Sequence, residues 1–323
     1  MLSKSDYLKG LQCLRLLWTK KNEKLPEPSE EAQFRFKQGD EIVLEEEGKS
    51  LRVSTTKSAE TGATEINITD LDTKLVDRFI RGAYIKGFSE IRVVFQNQEV
   101  KELKTGKTHP TVDIIQKTVN SLLIGMEIIE QRNNSCTIKD ITGHTDNELE
   151  NIQRRIFLLT QSMGETCLEL VRSKDKNIRL RSNKENIFRF TNYCHRLLNI
   201  KGHTDYKNVS FYYIIIEKIK EIVDAYEAVA NDITELKTQP SENTEKILEL
   251  TNECLRTTYE LFYKFSSKKC LELIKKRREA FDVVNKAKTD KTTKNIDFLM
   301  IGRLTDILFT TLYIAEARIG IEF

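Results

Sequence analysis

Three carboxylates in the segment IEKIKEIVDAYE, Glu217, Glu221 and Asp224, recur at i, i+4 and i+7. On an α-helix that spacing sets them on one face, about a turn apart. Oxygen ligands placed this way can share a hard or borderline metal ion. The same stripe also serves as a solvated acidic face, because Ile215, Ile219, Ile222, Tyr226 and Val229 line the opposite side. On pattern alone both readings stay open.

Other candidates carry less chemistry. Glu102, Leu103 and Lys104 form an E-x-K, the part of a metal-dependent nuclease site in which a lysine supports the attacking water. That site also needs an aspartate at a strand end, and the strand IRVVF runs instead into Gln96. The run KKRRE at 275–279, with Lys268, Lys269, Lys286 and Lys288 nearby, could track a phosphate backbone. No aromatic residues are interleaved with it, so a solvated helix face is the plainer reading. His195, beside Cys194, and His203 have no partner at catalytic spacing and read as packing or surface residues. The six cysteines are scattered without a C-x-x-C pair, which argues against structural zinc and for a reducing, cytoplasmic setting.

These groups must be positioned by a helix-rich chain. Of 323 residues, 39% are hydrophobic, 31% charged and only four are proline, the composition of a globular protein able to bury more than one core. The net charge of +3 neither demands nor excludes nucleic acid. The longest apolar run, YYIIIE at 212–217, is far shorter than the roughly 18 residues of a membrane span, so no membrane insertion is expected.

The chain divides by pattern into four parts. Residues 1–38 begin with LSKSDYLKGLQCLRLLWTKK, an amphipathic helical segment with Leu8, Leu11, Leu14, Leu17 and Trp18 on one face. Residues 39–55 alternate as a hairpin turning at Gly48, and a polar linker follows. Residues 64–141 alternate strands with two helices, one started by Asp70 or Asp72 and closed by Gly87, and end in a hairpin around Asn133 and Asn134. This is a small α+β unit. Residues 145–323 are helical by period in six stretches, 145–173, 182–200, 206–237, 242–265, 267–288 and 293–320. Their short polar breaks predict antiparallel neighbours, most simply two three-helix bundles. The expected fold class is an α+β N-terminal part followed by an all-α region.

Three passages together resemble archaeal PhoU-type phosphate uptake regulators: GDEIVLEEEGKSLRVS, TEINITDLDTKLVDRFIRGAYIKGFSEIRVVF, and TVDIIQKTVNSLLIGMEIIEQ leading into IQRRIFLLTQSMGETCLELV. The resemblance implies an AbrB/SpoVT-like DNA-binding hairpin, here its second half only, ahead of a PhoU helical domain. It implies a non-enzymatic regulator of phosphate homeostasis that works as a homodimer. Its partners would be a phosphate transporter, a sensor protein or DNA. A divalent or trivalent metal ion would be held by carboxylates such as Glu217, Glu221 and Asp224. The pattern is reduced elsewhere: near SNKENIFRF only Glu185 remains and Ile187 replaces an acid, and Phe309 stands where the last helix should carry another. A scaffold that has lost metal and DNA binding is therefore an alternative. So is a metal-dependent nuclease, because LSKSDYLKGLQC resembles the start of the RecB-like nuclease family.

Overall fold

The structure, a computed structural model, describes residues 42–47, 50–55, 62–142, 148–173, 181–203, 205–235 and 239–323. The amphipathic segment expected at 1–38 lies outside these residues. The chain divides into two units, Met1–Glu60 and Thr61–Phe323. In the first, β1 (Ile42–Glu47) and β2 (Ser50–Thr55) pair antiparallel, from Ile42 opposite Thr55 to Glu47 opposite Ser50.

The second unit is a mixed β-sheet followed by a mostly α-helical region. Its first strand β3 (Ala63–Asn67) leads through α1 (Thr73–Lys86) to β4 (Glu90–Val94), which lies parallel to β3. The Asp72 carboxylate accepts the Leu75 N–H at 2.9 Å and so starts α1. Gly87, at φ 106°, ends it in a left-handed conformation that a side chain would strain. A short ribbon, β5 (Glu99–Lys101) and β6 (Thr108–Pro110), interrupts the polar stretch that follows. Then come α2 (Thr111–Leu122) and the hairpin β7 (Met126–Arg132) and β8 (Ser135–Asp140). The sheet runs β3-β4-β8-β7, with β8 antiparallel to both neighbours. One sheet face is apolar: Ile91, Val93, Cys136 and Ile138 pack with Ile80, Tyr84, Ile115 and Val119 of α1 and α2.

The six helical stretches appear as α3 (Glu148–Arg172), α4 (Arg181–Lys201), α5 (Val209–Glu235), α6 (Glu242–Tyr263), α7 (Ser267–Thr289) and α8 (Asn295–Glu322). A 3-10 turn at Tyr206–Asn208, capped by Asp205, begins the third of them. Helices α3, α4 and α5 pack on one another, as do α6, α7 and α8, and α5 packs along α8. A common core runs through all six, from Phe157 and Cys167 through Ile222 and Tyr226 to Leu255, Val284 and Leu304.

Polar clasps fix these helices in place. The buried Asp297 carboxylate in the first turn of α8 accepts the Lys294 N–H at 2.9 Å, the Ser241 N–H at 2.7 Å and the Thr244 hydroxyl at 2.6 Å. It thereby satisfies the start of α8 and the start of α6 together. The Tyr226 hydroxyl donates to Asn252 at 2.7 Å, and the Asn252 amide donates to the Gly164 carbonyl at 2.8 Å. A Cβ on Gly164 would stand 2.5 Å from Asn252 and 2.8 Å from the Tyr226 hydroxyl, so α3 approaches there because it lacks one. Inside the helices, Thr160, Thr251, Thr258 and Thr311 are buried and donate to carbonyls three or four residues earlier.

Helix α4 belongs to both layers. Cys194 and Leu198 enter the helical core, while Tyr193 and Leu197 enter the core beneath the sheet. Between them Arg196 is fully buried. Its Nη1 donates to the Tyr84 carbonyl at 2.7 Å and its Nη2 to Asp140 at 2.8 Å, and its plane lies 4.8 Å from the Tyr84 ring centre. One helical turn to either side, Asn192 donates to the Leu122 carbonyl at 3.4 Å and Asn199 to the Ile85 carbonyl at 2.8 Å. One face of α4 thus caps the C-terminal ends of both α1 and α2.

Burial pushes the Asp140 carboxyl up, but the Arg196 guanidinium and the Thr142 N–H and hydroxyl outweigh it, leaving the pKa below the usual range. With the folded pKa depressed, this stabilisation is complete above pH of about 4 and lost as pH falls through the folded value. Replacing Arg196 by Leu leaves Asp140 desolvated without its cation and should cost about 3–5 kcal/mol in urea unfolding. The double variant Arg196→Leu/Asp140→Leu should recover much of that loss. A single variant with an unchanged unfolding midpoint would show that the pair does not hold the sheet to α4.

Candidate functional site

Helix α5 carries the acidic stripe, and its folding explains where the stripe points. Ile215, Ile219, Ile222, Tyr226 and Val229 are all buried in the common core, which turns Glu217, Glu221 and Asp224 outward. Each carboxylate then meets an ammonium group. Lys220 lies 3.0 and 3.2 Å from the two oxygens of Glu217, and Lys218 lies 2.8 and 2.9 Å from those of Glu221. Lys184, reaching across from α4, contacts Asp224 at 2.6 Å and Glu227 at 2.6 Å. Burial lowers the Lys184 pKa, but these two carboxylates overcome it and hold the amine above its usual range. Among the described residues, no three His, Cys, Asp or Glu side chains are grouped to hold a metal ion. As placed here, the three acids fit a cation poorly, since it would have to displace a lysine from each.

Beside the stripe, α5 and α8 enclose an open groove with a cavity volume of about 610 Å³. Glu221, Asp224 and Ala225 form one wall, and Asp306, Phe309 and Tyr313 form the other. The Lys218 ammonium lies 5.3 Å from the centre of the Tyr313 ring. Arg303, also in the lining, is tied to Asp232 at 2.8 Å. Phe309, where the PhoU resemblance leads one to expect an acid, lines the groove with its ring. Ile187, the other position where that resemblance leads one to expect an acid, is buried in the helical core.

His195 sits at the upper end of the stripe. It is fully buried on α4 and stacks on Tyr213 with ring centres 3.9 Å apart. Its Nδ1 lies 3.3 Å from Glu217, yet neither ring nitrogen has a hydrogen bond of good geometry. Burial lowers its pKa to about 4, with Lys220 acting in the same direction and Glu217 and the Tyr213 backbone opposing. The imidazole is held neutral. The adjacent Cys194 is buried, and burial pushes its thiol far above the usual range, which leaves it unreactive. His203 instead stacks on Tyr212 at 4.6 Å and accepts the Asp205 N–H through Nδ1 at 3.1 Å.

The remaining sequence candidates lie on the β5–β6 ribbon and on α7, where Arg277 of the basic run reaches the back of Phe309, 5.9 Å from its ring centre. Glu102, Leu103 and Lys104 occupy the end of the β5–β6 ribbon, where Glu102 and Lys107 pair through the backbone at 2.7 Å and the Thr105 hydroxyl donates to the Glu102 carboxylate. In the basic run on α7, Lys275 and Arg278 face solvent and Lys276 pairs with Glu272 at 3.3 Å. Arg277 turns inward, donating Nε to the Leu308 carbonyl at 2.7 Å.

No family model, curated protein or solved structure matches this chain. The arrangement of its own residues is what bears on function.

Two measurements probe the site. Because the folded His195 pKa lies below the unfolded value, its neutral burial stabilises the fold fully above about pH 6.5, and that contribution fades as pH falls toward 4. His195→Phe, which keeps the stack on Tyr213, should flatten the fall in melting temperature across that window; an unchanged pH profile would mean the ring is not held neutral. If the lysines keep the stripe closed, manganese or zinc should leave the melting temperature of wild type and Glu221→Gln alike. A metal-induced rise in wild type that Glu221→Gln abolishes would show that a cation does displace them.

Proposed function

We propose that this chain is a non-enzymatic, cytoplasmic regulator of phosphate uptake of PhoU type, acting through contact with a phosphate transporter or sensor protein. The observation that carries the reading is the order of parts: a hairpin, then a mixed sheet, then six helices that pack as two mutually contacting triplets, α3–α5 and α6–α8. We read the triplets as two three-helix bundles joined along α5 and α8. In this reading β1 and β2 supply the half of an AbrB-like domain that would meet DNA.

The regulator acts without a bound metal. Lys220, Lys218 and Lys184 supply the positive charge that a cation would bring to the acids of α5, which favours the version of this family's scaffold that no longer needs one. A nuclease gains no comparable support, since its E-x-K lies at a ribbon end with Glu102 engaged by Thr105.

The test is physiological. Deleting the gene in its native cell should raise phosphate uptake under phosphate-replete growth by at least several-fold, and restoring the chain should return it to the starting level. Restoration by Glu221→Gln as well would support the metal-free version. Uptake that is the same with and without the gene would overturn the proposal.

A further inference from the structure

Helix α7 packs chiefly on α6, with Leu273, Ala280, Val284 and Ala287 on its buried side. Its basic residues divide between two settings. On the flank toward α6, Lys269 pairs with Glu260, and Lys276 lies 3.7 Å from Glu253 and 3.3 Å from Glu272. Lys268, Lys275, Arg278 and Lys286 are exposed, and among the described residues they make no ion pair. Two aliphatic side chains stand among these free cations, Leu271 at 55% exposure and Ile274 at 44%. Leu271 is three residues from Lys268 and from Ile274 and four from Lys275, and Arg278 follows Ile274 by four. All five therefore share the face opposite the buried one.

The acids of the helix stand mostly elsewhere. Glu272 is on the flank with Lys276, and Glu279, seven residues on, shares that flank. Asp282 is the one acid on the outward face, a turn beyond Arg278. A single exposed leucine on a surface needs no explanation. Here two neighbouring aliphatic chains and a surplus of cations are left uncovered in one place.

We propose that this face of α7 rests on the surface of an anionic lipid bilayer. The headgroups meet Lys268, Lys275, Arg278 and Lys286, while the boundary with the acyl chains takes Leu271 and Ile274 out of water. A nucleic-acid backbone answers the cations alone and leaves the two aliphatic chains against phosphate oxygens. The helix lies in the plane of the interface and does not cross it, because its other side is committed to the helical layer. The inference is independent of the regulatory reading. A vesicle assay contains no transporter, so its outcome is separate from that of the uptake test.

At low ionic strength the full chain should float with vesicles of phosphatidylcholine and phosphatidylserine in equal parts and stay behind with phosphatidylcholine alone. Added salt should release it as the headgroups are screened. Each Lys or Arg near such a surface is worth about fivefold in partitioning, so Lys275→Gln/Arg278→Gln should weaken it about 25-fold. Leu271→Ser/Ile274→Ser leaves the charge untouched and should weaken it at least about fivefold. All four positions are exposed, so circular dichroism and melting temperature should stay near wild type in both double variants. No flotation at low salt, or flotation that either double variant leaves unchanged, would overturn the proposal. Retention of a duplex DNA probe that the glutamine variant loses and the serine variant keeps, without flotation, would also overturn it and assign the face to a phosphate backbone.

Discussion

A guanidinium removed from water is costly unless its donors are met, and Arg196 meets most of that requirement with groups from two distant parts of the chain. One nitrogen is held by the last turn of α1 and another by the end of β8, while Nε finds no acceptor. Asn192 extends the same device to α2, and Asn199 adds a second bond to α1. Because the groups Arg196 binds exist only when α1 and the β7–β8 hairpin are in place, the sheet and the helices specify each other. Tyr193 and Leu197, on the same helix, add the apolar contact that makes the joint a core and not only a set of hydrogen bonds.

The division of Thr61–Phe323 into a sheet part and a helical part was visible as a change of period, from alternation to recurrence every three or four residues. The breaks between helices were equally plain, since each is short and polar. The joint was not visible. Arg196 sits within FTNYCHRLLNIK among other polar residues, Asn192, His195 and Asn199, and an amphipathic pattern assigns such residues to solvent. Only its two remote partners make it interior, and remote pairing leaves no periodic trace. The β5–β6 ribbon was missed for a related reason: at three residues each, its strands are too short for alternation to register.

At the acidic stripe the difference is one of counting. The carboxylate spacing that suggests a metal is in the sequence, and so are Lys218 and Lys220, which stand three residues from Glu221 and Glu217 where a helix brings them together. Lys184 is not legible, because it arrives from another helix. The burial of His195 is likewise a property of α4 being covered on two sides, which no single-helix pattern contains. The groove residues of α8 lay in a stretch so apolar that its outer and inner sides could not be told apart.

The buried threonines of the helical region add to an interior that a mean hydropathy of −0.45 understates. A hydroxyl already bonded to its own backbone leaves a methyl group for the neighbouring helix, so Thr160, Thr251, Thr258 and Thr311 behave at the contact as small apolar residues. Hydropathy scales that count such residues as polar therefore understate this core. Self-satisfied residues also express no preference among partners: they would sit as well against one helix as another, in several registers. Choosing a single arrangement from that permissive surface falls to the few bonds that cross between helices, and a loss of those bonds would show less as unfolding than as ambiguity.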